Sequence, residues 1–485
     1  MNNNDVIVIG AGPAGLTAAY ELARRGKTGV VLEMTRHVGG IARTETYKGY
    51  RFDIGGHRFY TKIREVEAIW DELLGSDLLR RPRFSRIFYN KKFYHYPLRL
   101  SNTLRNLGML TSLGVLLSYL QSQIFPYPQE DTFEEWVSNR FGRKLYSIFF
   151  KTYTEKVWGI PCSQISSAWA AQRIKGLSLP VAVRNALFRY PDERVTTLIN
   201  SFHYPRLGPG MMWEAARDYV EARGFKVLLE TPIQRIRHNG RRILDVTSDQ
   251  QAAGGGERVF PGNQFLSSMP VTHLIQSLDP APPEQVLHAA NSLTYRDFLT
   301  VVLIIDRRDL FPDNWIYIHE PDVHVGRIQN FKQWSPEMVP DASKTSLGLE
   351  YFCEEGDERW SMADEELIDL GKREIEQIGL AQAAEVIDGV VVRQPKAYPV
   401  YTQTYGEHLS ILREYLQGFE NLQTIGRNGL HKYNNQDHSM LTALLAVRNL
   451  FGENYDLWDV NTERSYNEEI RVPHDALSAD EAGSV

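Results

Sequence analysis

Val6-Ile7-Val8-Ile9 is an unbroken β-branched run. A short apolar run without polar alternation predicts a strand buried on both faces. Leucine and alanine recur over residues 16–24, which predicts a helix, and residues 29–32 predict a second buried strand ending at Glu33. Residues 100–200 are helix-rich with few strand signals, and 202–210 form a turn-rich return. A helix is expected over 213–223 and a strand over 226–229. Residues 241–247 and 258–267 read as a hairpin around a flexible Gly-rich turn at 250–256, with 264–269 returning to the first sheet. Valine- and isoleucine-rich segments at 298–306, 346–352 and 390–392 predict a second sheet. Residues 421–425 read as the last strand of the first sheet. The closing helix at 439–450 sets Ala443, Ala446 and Val447 at core spacing.

One segment stands apart. No Lys, Arg, Asp or Glu occurs between Arg105 and Glu130, and residues 107–125 approach the length of a spanning helix. Asn106, Ser112, Ser118, Gln121, Ser122 and Gln123 interrupt it, and Gly108 and Gly114 weaken it. The expectation is a buried helix of a helical subdomain. The alternative is a monotopic patch, giving peripheral membrane contact or an entrance for a lipid-linked substrate.

The first two strands carry chemistry between them. Gly10-Ala11-Gly12-Pro13-Ala14-Gly15 has the form G-x-G-x-x-G and stands between strand and helix. Gly10 permits the tight turn, Gly12 lets backbone approach a pyrophosphate, and Gly15 lets helix and strand pack closely. The helix N-terminus then presents partial positive charge to the phosphates. Glu33 lies 18 residues past Gly15, where an acid accepts ribose hydroxyls. This is a dinucleotide-binding fingerprint. Two further glycine pairs, Gly39-Gly40 before Arg43-Thr44 and Gly55-Gly56 before His57, let backbone lie against a large flat ligand.

At these residues the chain resembles the FAD-dependent amine oxidase and protoporphyrinogen oxidase superfamily. There E-x(4–6)-G-G-x-x-x-T/S follows the Rossmann unit and the turn carries FAD. Phe52-Asp53-Ile54-Gly55-Gly56-His57 resembles the UDP-galactopyranose mutase branch. So do Thr132-Phe133-Glu134-Glu135-Trp136, Lys156-Val157-Trp158-Gly159-Ile160-Pro161, and Asn314-Trp315-Ile316-Tyr317 followed by Gly326-Arg327-Ile328. Gly426-Arg427-Asn428-Gly429, with Tyr433-Asn434-Asn435-Gln436-Asp437-His438-Ser439, resembles that branch's closing motif, one residue shorter here. The resemblance spans about residues 5–450.

The resemblance implies non-covalent FAD, held by Gly10, Gly12, Pro13, Ala14, Gly15, Glu33, Gly39, Gly40, Arg43, Gly55, Gly56, His57, Gly426, Arg427, Asp437, His438 and Ser439. It places His57, Arg327, Tyr398 and Tyr433 at the reaction. Arg327 falls on a diphosphate arginine, Tyr398 and Tyr433 on diphosphate-binding tyrosines, and Tyr317 on a substrate tyrosine. An Arg fork suits phosphate oxygens, and a Tyr hydroxyl donates without adding charge. The branch has a second diphosphate arginine near F-R-F-P, where this chain reads Phe202-His203-Tyr204-Pro205-Arg206. His203, Arg206 and Arg99 are the candidates for it. The segment that binds uridine in that branch has no match here, which leaves UDP and galactose open. Each residue also has a plainer role: Arg327 as partner of a surface carboxylate, Tyr398 and Tyr433 as core tyrosines, Trp136 and Trp158 as core, Asp437 as a helix cap and His438 as a prop for the last helix.

Two activities follow from the resemblance. The first is pyranose/furanose isomerisation of a nucleotide- or lipid-linked sugar through a reduced-flavin N5 adduct. The second is an oxidase, dehydrogenase or desaturase passing hydride from an apolar substrate to FAD. NAD(P)H is the candidate reductant, although no second complete G-x-G-x-x-G occurs; Gly254-Gly255-Gly256 lacks the strand-to-helix context.

The fold class expected is α/β: a Rossmann-type FAD-binding domain (1–100, 205–285 and 420–455), a helical subdomain (100–204) and an antiparallel-sheet substrate domain (286–419), before an acidic disordered tail at 470–485. A length of 485 residues suits two or three domains, and 42% hydrophobic content supports a large core. A net charge of −6 provides no basic field for nucleic acid. Cys162 and Cys353 are the only cysteines, too few for a disulfide framework or a metal site. With the polar Met1-Asn2-Asn3-Asn4-Asp5 opening, they predict a cytoplasmic chain without a signal peptide. Oligomeric state is left open.

Overall fold

The computed structural model describes residues 4–173, 179, 201–249 and 256–461. Most of the flexible turn expected at 250–256, and the tail expected to be disordered at 470–485, lie outside the described residues. In chain order the strands are β1 (Asn4–Ile9), β2 (Gly29–Leu32), β3 (Thr44–Tyr47), β4 (Tyr50–Asp53), β5 (Leu78–Pro82), β6 (Ser85–Tyr89), β7 (Lys92–His95), β8 (Ser201–Pro205) and β9 (Lys226–Leu228). They continue as β10 (Ile233–His238), β11 (Ile243–Asp249), β12 (Glu257–Ser267), β13 (Leu278–Asp279), β14 (Tyr295–Ile305), β15 (Trp315–Ile318), β16 (Arg327–Asn330), β17 (Thr345–Cys353), β18 (Val386–Pro399) and β19 (Leu422–Thr424).

The β-branched run of β1 is buried on both faces because helices cover both. Val6 and Val8 pack toward helices Pro13–Arg24, Gly210–Glu221 and Gln436–Leu450, and Ile7 and Ile9 toward Val271–Gln276, Glu284–Ser292 and Tyr405–Gln417. Each such side chain contributes roughly 1.5–3 kcal/mol by leaving water. The sheet runs β13-β10-β11-β12-β1-β2-β9, with β19 also on β12. Its β19-β12-β1-β2-β9 part is parallel, and the hairpin of β11 and β12 extends it antiparallel.

The second sheet runs β18-β14-β17-β16-β15-β6-β7. Every residue of β17 is buried, and β14 is buried from Arg296 onward. Leu299, Val301 and Leu303 face helix Asp364–Ile378, while Phe298, Phe352 and Tyr398 join the core on the other side. The structure redraws one expected boundary. Residues 85–95, expected within the first domain, form β6 and β7 of the second sheet, because β6 pairs in parallel with β15. Between residues 100 and 173 the described elements are helices. The expectation of a buried helix at 107–125 is overturned: only Val115 and Ser122 of helix Met109–Ile124 are buried.

Candidate functional site

A cleft of about 3670 Å³ runs from the turn after β1 to the second sheet and the helical subdomain. That is several times a single small-molecule pocket of roughly 300–1,000 Å³. It has room for a dinucleotide and a second ligand.

Its first end is built by glycine. Gly10 has φ +95°, and a Cβ on Gly15 would stand 1.8 Å from the Gly10 carbonyl oxygen, so the first helix presses directly on the turn. A Cβ on Gly426 would stand 2.8 Å from that of Ala14, and the first turns of helices Pro13–Arg24 and Gln436–Leu450 both line the cleft, at Pro13 and Ala14 and at Gln436, Asp437, His438 and Ser439. Two positive helix ends there suit a pyrophosphate. Glu33 is buried. It accepts from the Ala11 amide at 2.8 Å and from the Thr35 amide and hydroxyl at 2.9 and 2.8 Å. A carboxylate has about four acceptor sites, so one remains for a ligand hydroxyl. Arg43 is held by Glu45, the Gly40 carbonyl and Gln394, beside the same cleft. Asn428 Oδ1 and Gln436 Nε2 are buried without a hydrogen-bond partner among the described residues, and both residues line the cleft. Orphaned polar atoms in such a place fit a polar ligand.

The middle of the cleft carries Gly55, Gly56 and His57. Gly56 has no space for a side chain, since its Cβ would meet Gln329 at 2.9 Å and Trp334 at 3.4 Å. The His57 ring contacts the Gly55 carbonyl at 3.2 Å, and burial lowers its pKa to about 3, so it is neutral.

The far wall follows from strand register. Tyr317, Arg327 and Glu350 are direct cross-strand neighbours on β15, β16 and β17. Arg327 donates from Nε and Nη2 to Glu350 Oε2 at 2.9 and 2.6 Å, and Glu350 is fully buried. Glu350 Oε1 accepts from Gln329 at 2.9 Å. The plainer reading of Arg327, a surface ion pair, is therefore replaced by a buried pair in the cleft wall. Two of five guanidinium donors are used. Tyr398 and Tyr433 stack at 5.5 Å, Arg427 lies 4.2 Å over the Tyr433 ring, and Trp158 stands edge-on to Tyr398. Burial raises the Tyr398 phenol, which stays protonated. Tyr153 stacks on His319 at 5.0 Å and meets Tyr317 edge-on at 5.3 Å; burial lowers His319 to about 3.

Of the residues singled out in the sequence, Gly10, Gly12, Pro13, Ala14, Glu33, Gly40, Arg43, Gly55, Gly56, His57, Tyr317, Arg327, Tyr398, Gly426, Arg427, Tyr433, Asp437, His438 and Ser439 line this cleft. Gly15 and Gly39 shape its turns from behind. Arg99, His203 and Arg206 are not among the lining residues. Arg99 is the exposed N-cap residue of helix Leu100–Leu107, His203 is tied into β8 opposite Arg80 and Phe59, and Arg206 pairs with Asp77 and Glu337 at 2.9 Å each. Among the cations that do line the cleft is Arg83, over the rings of Tyr96 and Trp315 at 5.3 and 5.5 Å. Sequence reading missed it together with Glu350. The signal for Glu350 was a lone acid in the otherwise apolar Leu347-Gly348-Leu349-Glu350-Tyr351-Phe352. Among the described residues no group of three or more His, Cys, Asp or Glu is placed to hold a metal ion.

Comparisons with known proteins agree with this layout. A family model described as an NAD(P)-binding Rossmann-like domain matches residues 8–73. A probable UDP-galactopyranose mutase of Klebsiella pneumoniae is 27% identical over 229 residues, which is 45% of this chain and 54% of that protein. The match thus spans about half the relative's length. Putrescine oxidase of Kocuria rosea is 41% identical over 85 residues, 18% of each chain. Among solved structures, a reduced UDP-galactopyranose mutase superimposes with a TM-score of 0.83 at 20% identity, over 96% of this chain and 99% of its own. A putative protoporphyrinogen oxidase from Exiguobacterium sp. 255-15 gives 0.71 at 18%, over 93% and 100%. The fold is the one these chains share, and the chain is similar to the UDP-galactopyranose mutases in sequence and in fold.

Proposed function

We propose that this chain is a FAD-dependent enzyme that interconverts the pyranose and furanose forms of a nucleotide-linked sugar without net redox. The observation that carries the reading is the joining, in one cleft, of a two-helix dinucleotide cradle to a wall of arginine and tyrosine donors across a histidine held neutral. Gly10, Gly12, the two helix N-termini and Glu33 would hold the dinucleotide, and the Gly39-Gly40 and Gly55-Gly56 segments would lie against its flat ring. Bound there and reduced, FAD supplies a nucleophilic ring nitrogen; oxidised, it accepts hydride. The protein's own contribution is to hold the leaving and returning diphosphate. Arg327 keeps donors beyond those bound to Glu350, the Tyr398 and Tyr433 hydroxyls donate without adding charge, and Arg83 supplies the second cation in place of His203, Arg206 or Arg99. A neutral His57 leaves the diphosphate without a competing charge beside the ring.

Arg327→Lys tests the reading. Lysine keeps the charge facing Glu350 but not the fork, so KM for a diphosphate sugar should rise about tenfold to a hundredfold, as expected for one or two charge-assisted bonds. Bound flavin should be unchanged. An unaltered KM would remove the diphosphate from this wall. It would then favour the second reading, hydride transfer from an apolar substrate.

A further inference from the structure

Helix Met109–Ile124 is built inside out. Its apolar residues Met109, Leu113, Leu116, Leu117, Leu120 and Ile124 follow helical spacing along one face, and all are exposed, Met109 at 87% and Leu117 at 57%. The residues it buries, Val115 and Ser122, lie seven apart on the opposite face. Polar and backbone contacts fasten that inner side. Ser118 Oγ accepts from the Lys144 amide at 3.0 Å, Gln123 donates to the Asn139 carbonyl at 2.8 Å, and Gly142 lies against the Tyr119 backbone where a Cβ would come within 2.8 Å. A helix normally turns its apolar stripe to the core. A contiguous exposed stripe of this size marks a surface that something else covers.

The surrounding charge says what covers it. Residues 78–129 contain eight Lys or Arg and no Asp or Glu, in a chain of net charge −6. Lys91, Lys92, Arg99 and Arg105 are exposed at one end, and Lys92 bonds to the Asn106 carbonyl at the end of helix Leu100–Leu107. Lys144 packs against Gly114 on the flank. At 16 residues the helix is too short to cross a bilayer, and no helix among the described residues is long and apolar enough to do so. An apolar face with a cationic rim suits the headgroup region of an anionic bilayer. A second copy of this chain would set the same cations against one another.

We propose that the outer face of helix Met109–Ile124 docks this protein on an anionic lipid surface, the helix lying in the membrane plane. The inner side of this helix reaches, through Val115, the same core as Trp158 and Tyr398, so the docked face backs onto the cleft wall. The proposal stands independently of the substrate.

Flotation of the full chain with vesicles tests it, using phosphatidylcholine alone and phosphatidylcholine mixed with phosphatidylglycerol. The wild type should float with the anionic vesicles, and less so as salt rises. Leu113→Glu/Leu117→Glu/Leu120→Glu should lose partitioning about tenfold or more, with circular dichroism and melting temperature unchanged because all three positions are exposed. Wild type that stays below the vesicles would overturn the proposal, as would a triple variant that floats equally well. A vesicle-free wild-type dimer that the triple variant converts to monomer, without lipid binding, would assign the face to a second copy instead.

Discussion

Arg327 and Glu350 form the pair on which the wall of the cleft depends. Removing one member of a buried pair leaves an uncompensated charge and costs about 3–5 kcal/mol. Arg327→Ala should therefore lower stability by that amount, read by urea unfolding, and a loss of activity in it would not isolate a substrate contact. Arg327→Lys should stay much closer to wild type in the same assay. Asp53 makes a separate prediction. It is fully buried, accepts from the Tyr204 hydroxyl at 2.5 Å and from Thr44 at 3.2 Å, and burial raises it to about 8. Between its unfolded value of 3.8 and about 8, the folded chain holds a proton that the unfolded chain has released. This group's stabilisation is complete at low pH and is lost as pH rises toward 8. Asp53→Asn, which carries no titratable proton, should flatten that decline in unfolding free energy; an unchanged profile would contradict it. His57 and His319 act oppositely, since both are lowered to about 3, and their contribution is lost as pH falls below about 6.5. At this scale the sequence was legible where a residue's neighbours are local, as for Gly10 or Glu33. Nothing local tells a cleft-lining arginine such as Arg83 from Arg206, which pairs with Asp77.

The elements explain why several motifs look the way they do. Thr132 and Glu135 of the T-F-x-E-W segment form a capping box: Glu135 donates its amide to Thr132 Oγ1 at 3.3 Å and accepts from the Thr132 amide at 2.9 Å. The segment starts a helix, and its Phe133 lines the cleft. Lys156 of K-V-W donates to the carbonyls of Ile318 and Glu320 at 3.2 and 2.6 Å, tying the helical subdomain to the second sheet, and burial lowers it to about 8. The first turn yields the sharpest prediction here. A methyl group on Gly15 would overlap the Gly10 carbonyl, so Gly15→Ala must push the helix off the turn. Flavin retention after gel filtration should fall at least about tenfold, given that a misplaced backbone loses several aligned N–H contacts. Full occupancy would show that the turn does not hold the phosphates. Buried strands and their helices were readable from apolar runs. The parallel pairing of β6 with β15 was not, because register between strands some 230 residues apart is set by tertiary packing rather than by local pattern.

At the scale of the molecule, the two sheets do different work. The first sets the N-terminal turns of two helices along the cleft, and the second lays the Tyr317, Arg327 and Glu350 row along its far wall. The division into a dinucleotide domain, a second sheet and a helical part was legible from the order of strand and helix patterns. The outward face of Met109–Ile124 was not, because hydrophobicity alone does not say which way a helix turns. Redox-neutral chemistry in this cleft would need reduced flavin and leave it reduced. The purified protein would be incubated anaerobically with nucleotide sugars, UDP-galactose among them, once oxidised and once reduced by dithionite, and ring size followed by NMR. Pyranose and furanose should interconvert in the reduced sample alone, with flavin absorbance the same before and after turnover. Bleaching of the oxidised flavin by an apolar substrate, with no change of ring size in any reduced sample, would contradict it.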